Sequence, residues 1–208
     1  MSERVLRGLY AITDPRLTPE PTLCDQVAAA ITGGARLIQY RHKEADADTR
    51  RREAEALLVL CRVRGVPLIV NDDIALAQAI GADGVHLGRE DADLQAARRT
   101  LGEDALIGVS CYNELDRARR ACANGADYVA FGRFFPSRTK PEAIQAEPAL
   151  LTRAKAELDR PVVAIGGITP DNGAPLIAAG ADMLAVIDGL FGQSDVEAAA
   201  REFARLFE

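Results

Sequence analysis

The segment Gln39-Tyr40-Arg41-His42-Lys43 leaves an apolar run with an amide and three basic side chains close together. Extended backbone sends alternate side chains to opposite sides, so Gln39, Arg41 and Lys43 share one face while Tyr40 and His42 share the other. Two cations and an amide on one face make a clamp for an anion with several oxygens. Lys140 and Arg138, in the Pro136–Pro141 segment, are further cations able to join it. Taken alone, Arg41 and Lys43 read equally well as solvated surface charges. Asp72 and Asp91 follow two other apolar runs. Two carboxylates beside such a clamp suit a Mg²⁺ ion that keeps several waters and bridges substrate phosphates. Each also reads as the N-cap of the helix after it, and Asp73 serves as a cap equally well. Gly166-Gly167 and Gly189 end two more runs. Their backbone N–H groups suit a monophosphate, or they answer a turn that needs positive φ. The set therefore reads as two anion sites, one metal-assisted and one neutral, for a diphosphate and a monophosphate handled together. His86, inside an apolar run, reads as a hydrogen-bonded core residue, with substrate contact as the alternative. There is no nucleophile elbow, Walker loop or G-x-G-x-x-G, so covalent catalysis is not signalled.

The elements that must hold these residues show up as a repeat. Gly-Ala-X recurs at Gly34-Ala35-Arg36, Gly81-Ala82-Asp83, Gly125-Ala126-Asp127 and Gly180-Ala181-Asp182. Each follows a stretch of helical period, where Gly suits the left-handed position that stops a helix. Each precedes a short apolar run: Leu37 to Tyr40, Val85 to Leu87, Tyr128 to Phe131 and Met183 to Ile187. Four more runs lie between, at Leu9 to Ile12, Pro67 to Val70, Ala105 to Val109 and Pro161 to Ile165. Eight continuous apolar strands alternating with helices predict a parallel sheet buried on both faces, an α/β fold of the (β/α)₈ TIM-barrel type. An open doubly wound sheet is the alternative. No linker composition divides the chain, so residues 1–208 are expected to form a single barrel domain. In a barrel, chemistry belongs at the C-terminal ends of the strands, and nearly every polar residue capable of chemistry falls on that rim.

Composition excludes several other classes. With 48% hydrophobic and 27% charged residues the chain sits at the globular average, which argues against disorder. A net charge of −6, from 25 Lys+Arg against 31 Asp+Glu, and no basic run beyond Arg50-Arg51-Arg52 argue against nucleic acid or an anionic membrane as partner. Cys24, Cys61, Cys111 and Cys122 show no C-x-x-C spacing and read as buried thiols of a reducing compartment. No signal-peptide pattern or membrane-length apolar run appears. A cytoplasmic protein is expected.

The segments Gln39 to Lys43, Asn71-Asp72-Asp73, His86-Leu87-Gly88 with Asp91, Gly108-Val109-Ser110, Ser137-Arg138-Thr139-Lys140-Pro141 and Ala164 to Ile168 together resemble thiamine-phosphate synthase, collinearly from Tyr10 to about Phe191. The Thr-Lys-Pro loop combined with the Asn-Asp-Asp strand end is the most specific part. The resemblance implies a transferase that joins a hydroxymethylpyrimidine diphosphate to a thiazole phosphate, or its carboxylated form, and releases pyrophosphate. It implies that Gln39, Tyr40, Arg41, His42, Lys43, Asn71, Ser110 and Lys140 hold the pyrimidine diphosphate. Lys140, Arg41 and Ser110 would be catalytic. Asp72 and Asp91 would bind Mg²⁺, and Ser137, Arg138, Thr139, Gly167, Ile187 and Asp188 would hold the thiazole phosphate. The implied mechanism is dissociative: pyrophosphate leaves first and the thiazole nitrogen captures a pyrimidine-stabilised carbocation.

Two positions depart from the family pattern. His42 stands where an acidic residue is frequent, on the face turned from the clamp, and Asp188 stands where a small hydroxyl residue is common. The partners expected are the two small-molecule substrates, with no nucleic acid and no membrane; a homo-oligomer is left open. Two rival readings are a thiazole tautomerase on the same fold and a non-catalytic sensor of phosphate ligands. The first needs neither the metal pair nor the diphosphate clamp, both of which this chain retains.

Overall fold

A computed structural model describes residues 6–88, 94–136 and 145–208. Eight parallel strands close into a barrel in chain order. They are β1 (Gly8–Ile12), β2 (Ala35–Tyr40), β3 (Leu68–Asn71), β4 (Gly84–Leu87), β5 (Leu106–Tyr112), β6 (Tyr128–Phe131), β7 (Val162–Ile165) and β8 (Met183–Val186). Around them pack α1 (Leu23–Thr32), α2 (Ala47–Arg64), α3 (Ile74–Ile80), α4 (Leu94–Leu101), α5 (Leu115–Ala123), α6 (Pro148–Glu157) and α7 (Pro170–Ala178). A short α8 (Asp188–Phe191) and a final α9 (Val196–Arg205) follow β8. The doubly wound alternative is thereby excluded. Among the described residues no helix is long and apolar enough to cross a membrane.

Strand alternation divides the core in two. Leu9, Ile38, Leu68, Val129, Val162 and Leu184 face the helices, while their neighbours Tyr10, Leu37, Ile69, Tyr128, Val163 and Met183 fill the barrel. Each strand is buried on both faces, which is why the runs are continuous rather than alternating in polarity. Gly108 makes room inside: a Cβ there would lie 2.0 Å from Cζ of Tyr128.

The Gly-Ala-X repeat does two jobs. Gly34, Gly81, Gly125 and Gly180 all have positive φ, at 114°, 69°, 92° and 116°, as a helix stop requires. The aspartates that follow serve a purpose the sequence reading did not foresee. Asp83, Asp127 and Asp182 each accept a backbone N–H at the start of the preceding odd-numbered strand, from Leu68 (3.0 Å), Ile107 (2.7 Å) and Val162 (2.8 Å). The backbone N–H of the same aspartate donates back to the carbonyl of that same residue. The result is a two-bond clasp between the loop entering an even strand and the strand before it. Arg98 and Lys155 brace two of the clasps, 2.6 Å from Asp127 and 2.7 Å from Asp182. All of this lies at the N-terminal end of the barrel, away from the candidate residues.

Candidate active site

The C-terminal ends of the strands surround a cavity of about 310 Å³. Gln39, Arg41, Asn71, Ser110, Gly167 and Asp188 are among its lining residues. A second cavity, of about 440 Å³, opens beside it between the ends of β2 and β3; Tyr40, His42, Lys43, Asp72 and Asp73 line it, and Asn71 belongs to both.

Alternation along β2 holds as far as the strand does. Gln39 points into the barrel and Arg41 lines the mouth, with the Arg41 backbone N–H bound to the buried Thr13 hydroxyl at 2.9 Å. Tyr40 and His42 turn the other way, onto the buried carboxylate of Glu53 in α2, at 2.7 and 2.8 Å. Their side chains are thus directed at a helix rather than into the mouth. Burial, with the Glu53 carboxylate beside it, pushes the Tyr40 phenol far above its ordinary range. Lys43 departs from the expected face. The strand stops at Tyr40, so the chain is free to bend, and Nζ of Lys43 meets Oδ2 of Asp72 at 2.7 Å in the second cavity.

The two adjacent aspartates after β3 have different work. Asp73 is the cap: its carboxylate accepts the Leu76 N–H at 2.9 Å at the start of α3. Asp72 has φ 63°, a left-handed conformation that Asp tolerates better than most residues, and this turns it towards Lys43. Asn71 Nδ2 donates to the same Oδ2 at 2.6 Å. The left-handed turn thus separates the functional candidate from the capping residue.

Ser110 lies in β5; it and Tyr112, two residues on, both face the mouth by strand alternation, and a bulge between them shifts the register against β6. Its Oγ is 2.9 Å from Nε2 of His86. His86 Nδ1 is 3.2 Å from the Tyr128 hydroxyl, which bonds the Tyr10 hydroxyl at 2.8 Å. Tyr10 in turn accepts from Gln39 Nε2 at 2.5 Å. Burial pushes both phenols far above their ordinary range, so both remain protonated at neutral pH. His86 is therefore both things the sequence allowed: a buried, hydrogen-bonded residue and part of the cavity wall.

On the opposite rim, Gly166 and Gly167 have φ 104° and 64°. A Cβ on either would lie 2.3 Å from the facing loop, at Arg133 Cβ and Pro136 O respectively. The pair is required by turn and by close approach alike. Ile187, Asp188 and Gly189 line the same side of the mouth. Arg16, forked onto the buried Asp14 at 2.9 and 2.8 Å, feels the Asp188 charge as well. That fork holds the Asp14 carboxyl below its usual range. Asp91, Ser137, Arg138, Thr139 and Lys140 lie outside the described residues.

Sequence reasoning missed Tyr10, Tyr128, Thr13 and Asp14, and Arg117, whose guanidinium donates to the carbonyls of Ser110 and Gly88 at 2.8 and 2.9 Å. A signal did exist for the tyrosines, because an inward Tyr in a strand buried on both faces must find a partner for its hydroxyl. For a metal, no group of three or more His, Cys, Asp or Glu clusters among the described residues. One oxygen ligand at a strand end, with cations beside it for phosphate oxygens, fits a Mg²⁺ held partly by substrate rather than by a protein cage.

A family model described as thiamine monophosphate synthase matches residues 9–190. The chain is 54% identical to thiamine-phosphate synthase of Nitrosococcus oceani over 202 residues, covering 97% of this chain and 93% of that protein. It is 53% identical to thiamine-phosphate synthase of Aromatoleum aromaticum over 208 residues and the full length of both. Among solved structures, thiamine phosphate pyrophosphorylase from Pyrococcus furiosus superposes with a TM-score of 0.89 at 35% identity, over 98% of this chain and 96% of that one.

Proposed function

This chain belongs to the thiamine monophosphate synthase family and is a transferase of that activity, and from this premise we propose how the residues at its mouth divide the work. The substrates are a hydroxymethylpyrimidine diphosphate and a thiazole phosphate or its carboxylated form. The observation that carries this reading is the meeting of Lys43, Asn71 and Asp72 beside the cavity that Arg41 lines. Arg41 and Lys43, with the amide of Asn71, hold the diphosphate, and Gln39 and Ser110 orient the ring. Tyr40 and His42 act through the backbone of the same segment, since their side chains are engaged by Glu53. Asp72 and Asp91 would hold Mg²⁺, which when bound neutralises charge on the phosphate oxygens. The thiazole phosphate lies against Gly167 and the main chain at Ile187 and Asp188, with Ser137, Arg138 and Thr139 as its further contacts.

In the reaction the methylene C–O bond breaks first, and its electron pair leaves with pyrophosphate. The thiazole nitrogen then donates its lone pair to the methylene carbon. Negative charge grows on the departing oxygen, so cations aimed there gain interaction in the transition state. Arg41 and Lys140 take that role. The test is purified protein with both heterocycle phosphates and Mg²⁺, followed for thiamine phosphate and pyrophosphate. Equimolar products are expected. An undiminished rate in chelator would overturn the metal's role, and thiazole isomerisation without coupling would overturn the transfer.

A further inference from the structure

Tyr10, Tyr128 and His86 have no part in the transfer as proposed, yet they form the middle of a continuous hydrogen-bonded chain. It runs Gln39–Tyr10–Tyr128–His86–Ser110, drawn from β2, β1, β6, β4 and β5, with links of 2.5, 2.8, 3.2 and 2.9 Å. Both ends, Gln39 and Ser110, line the mouth. Ring packing fixes the middle: Tyr10 and Tyr128 meet edge to face at 5.9 Å, and His86 stacks on Tyr128 at 5.6 Å.

A phenol donates one hydrogen, and a neutral imidazole carries one N–H and one lone pair. With His86 neutral and every member paired to its neighbours, such a chain has two self-consistent directions. If the Gln39 amide N–H donates to Tyr10, then Tyr10 donates to Tyr128, Tyr128 to Nδ1 of His86, and Nε2–H of His86 to Ser110. The Ser110 hydroxyl is left as a donor to the mouth, and the Gln39 carbonyl as an acceptor. If the Gln39 carbonyl instead accepts from Tyr10, every link reverses. His86 then carries its hydrogen on Nδ1, Ser110 presents a lone pair and Gln39 presents its N–H. A mixed arrangement leaves a hydroxyl hydrogen or an imidazole lone pair without its partner inside the barrel, or opposes two of a kind, which the buried surroundings disfavour.

We propose that this chain ties the hydrogen-bond polarity of Gln39 to that of Ser110, so that the mouth always offers one donor and one acceptor to a heteroaromatic ring bearing an amino group beside a ring nitrogen. The proposal rests on the reading of the mouth as the pyrimidine site. It makes Tyr10, Tyr128 and His86 positioning residues: they set which way the two contacting groups point.

The test forces the direction from one end and reads it at the other. Gln39→Glu replaces the amide with a carboxylate that only accepts, so His86 should move to the Nδ1–H tautomer. Nitrogen-15 spectra of the imidazoles report this directly, and the chain has only two histidines to assign. The shift should vanish in Gln39→Glu combined with Tyr10→Phe, which removes one hydroxyl and keeps the ring. A His86 tautomer identical in all three proteins would overturn the proposal. If Gln39→Glu does not fold, a double-mutant cycle decides. Gln39→Ala and Ser110→Ala should be non-additive by about tenfold in KM for the pyrimidine diphosphate, and additive within about twofold in the Tyr10→Phe background. Non-additivity that survives Tyr10→Phe would also overturn it. The spectra require no turnover, so a parent protein that makes no thiamine phosphate would refute the functional reading and leave the coupling test standing.

Discussion

Asp72 and Asp73 are adjacent carboxylates with different geometry, and replacing each in turn should separate stability from catalysis. Asp73 accepts the Leu76 N–H at 2.9 Å, and a lost side-chain cap costs about 1 kcal/mol. Its ion pair with Arg50 is 3.5 Å long with both groups part-exposed, so it adds only a few tenths of a kcal/mol. For a chain of this length that is a fall in Tm of about 3 °C for Asp73→Ala. The Mg²⁺ requirement and kcat of that variant should stay within about twofold of the parent. Asp72→Asn keeps a residue that tolerates φ 63° and an oxygen that can accept from Asn71. It removes the charge that meets Lys43, which is 49% exposed, so the stability at stake is at most about 0.5 kcal/mol. Tm should move by less than about 2 °C. A charge-assisted contact is worth about 1.5–3 kcal/mol, so the Mg²⁺ needed for half-maximal rate should rise on the order of 10–100-fold. Thermal melts and Mg²⁺ titrations of the synthase rate measure both quantities. If Asp73→Ala shifts the Mg²⁺ curve and Asp72→Asn does not, the assignment of cap and metal site is refuted.

Gly108→Ala would set a methyl 2.0 Å from Cζ of Tyr128, so overpacking should cost about 1–3 kcal/mol in a denaturant titration and raise KM for the pyrimidine diphosphate. Asp127→Ala orphans the Ile107 N–H and takes the carboxylate from Arg98, which keeps its backbone carbonyl partners, at a cost of about 1–3 kcal/mol. Because this clasp is at the barrel end remote from the mouth, kcat should be unchanged; a large fall in kcat with little loss of stability would contradict the placement. Burial pushes the Cys61 and Cys111 thiols up to about 12. Native protein at pH 8 should therefore resist iodoacetamide at both positions, as mass spectrometry after digestion would show. Because the folded-state values lie above the unfolded one, their contribution to stability is intact below the ordinary thiol value. It is lost as pH rises towards 12, and a Cys61→Ala, Cys111→Ala protein should lose less stability over that window.

The eight strands were legible because each is a continuous apolar run closed by Gly or by polar residues, and burial on both faces leaves no other pattern. Face assignment was legible for Gln39, Tyr40, Arg41 and His42 because period two survives as long as the backbone is extended. It failed at Lys43 for the same reason, since β2 ends at Tyr40. Which of Asp72 and Asp73 caps α3 depends on a single φ, and both residue types satisfy either role. The Gln39–Ser110 chain was the least legible part of the site. Its members come from five strands, and their meeting at one level depends on barrel closure and stagger, which no local window contains. The aspartates of the Gly-Ala-Asp repeat were visible as a pattern but not as clasps, because their partners are 15 to 20 residues away.

Those clasps give the ring seams. Asp83 ties β4 to β3, Asp127 ties β6 to β5 and Asp182 ties β8 to β7, whereas the equivalent position, here at the start of β2, holds the exposed Arg36. The barrel is thus assembled from two-strand modules, three of them latched and one open. A chain severed in the connection between α2 and β3, or between α4 and β5, keeps every latch within one fragment. A chain severed between β3 and β4 separates an aspartate from the strand it holds. Splitting, permutation and insertion should follow the seams between modules, and the unlatched β1–β2 module is the one the ring can most readily exchange for another.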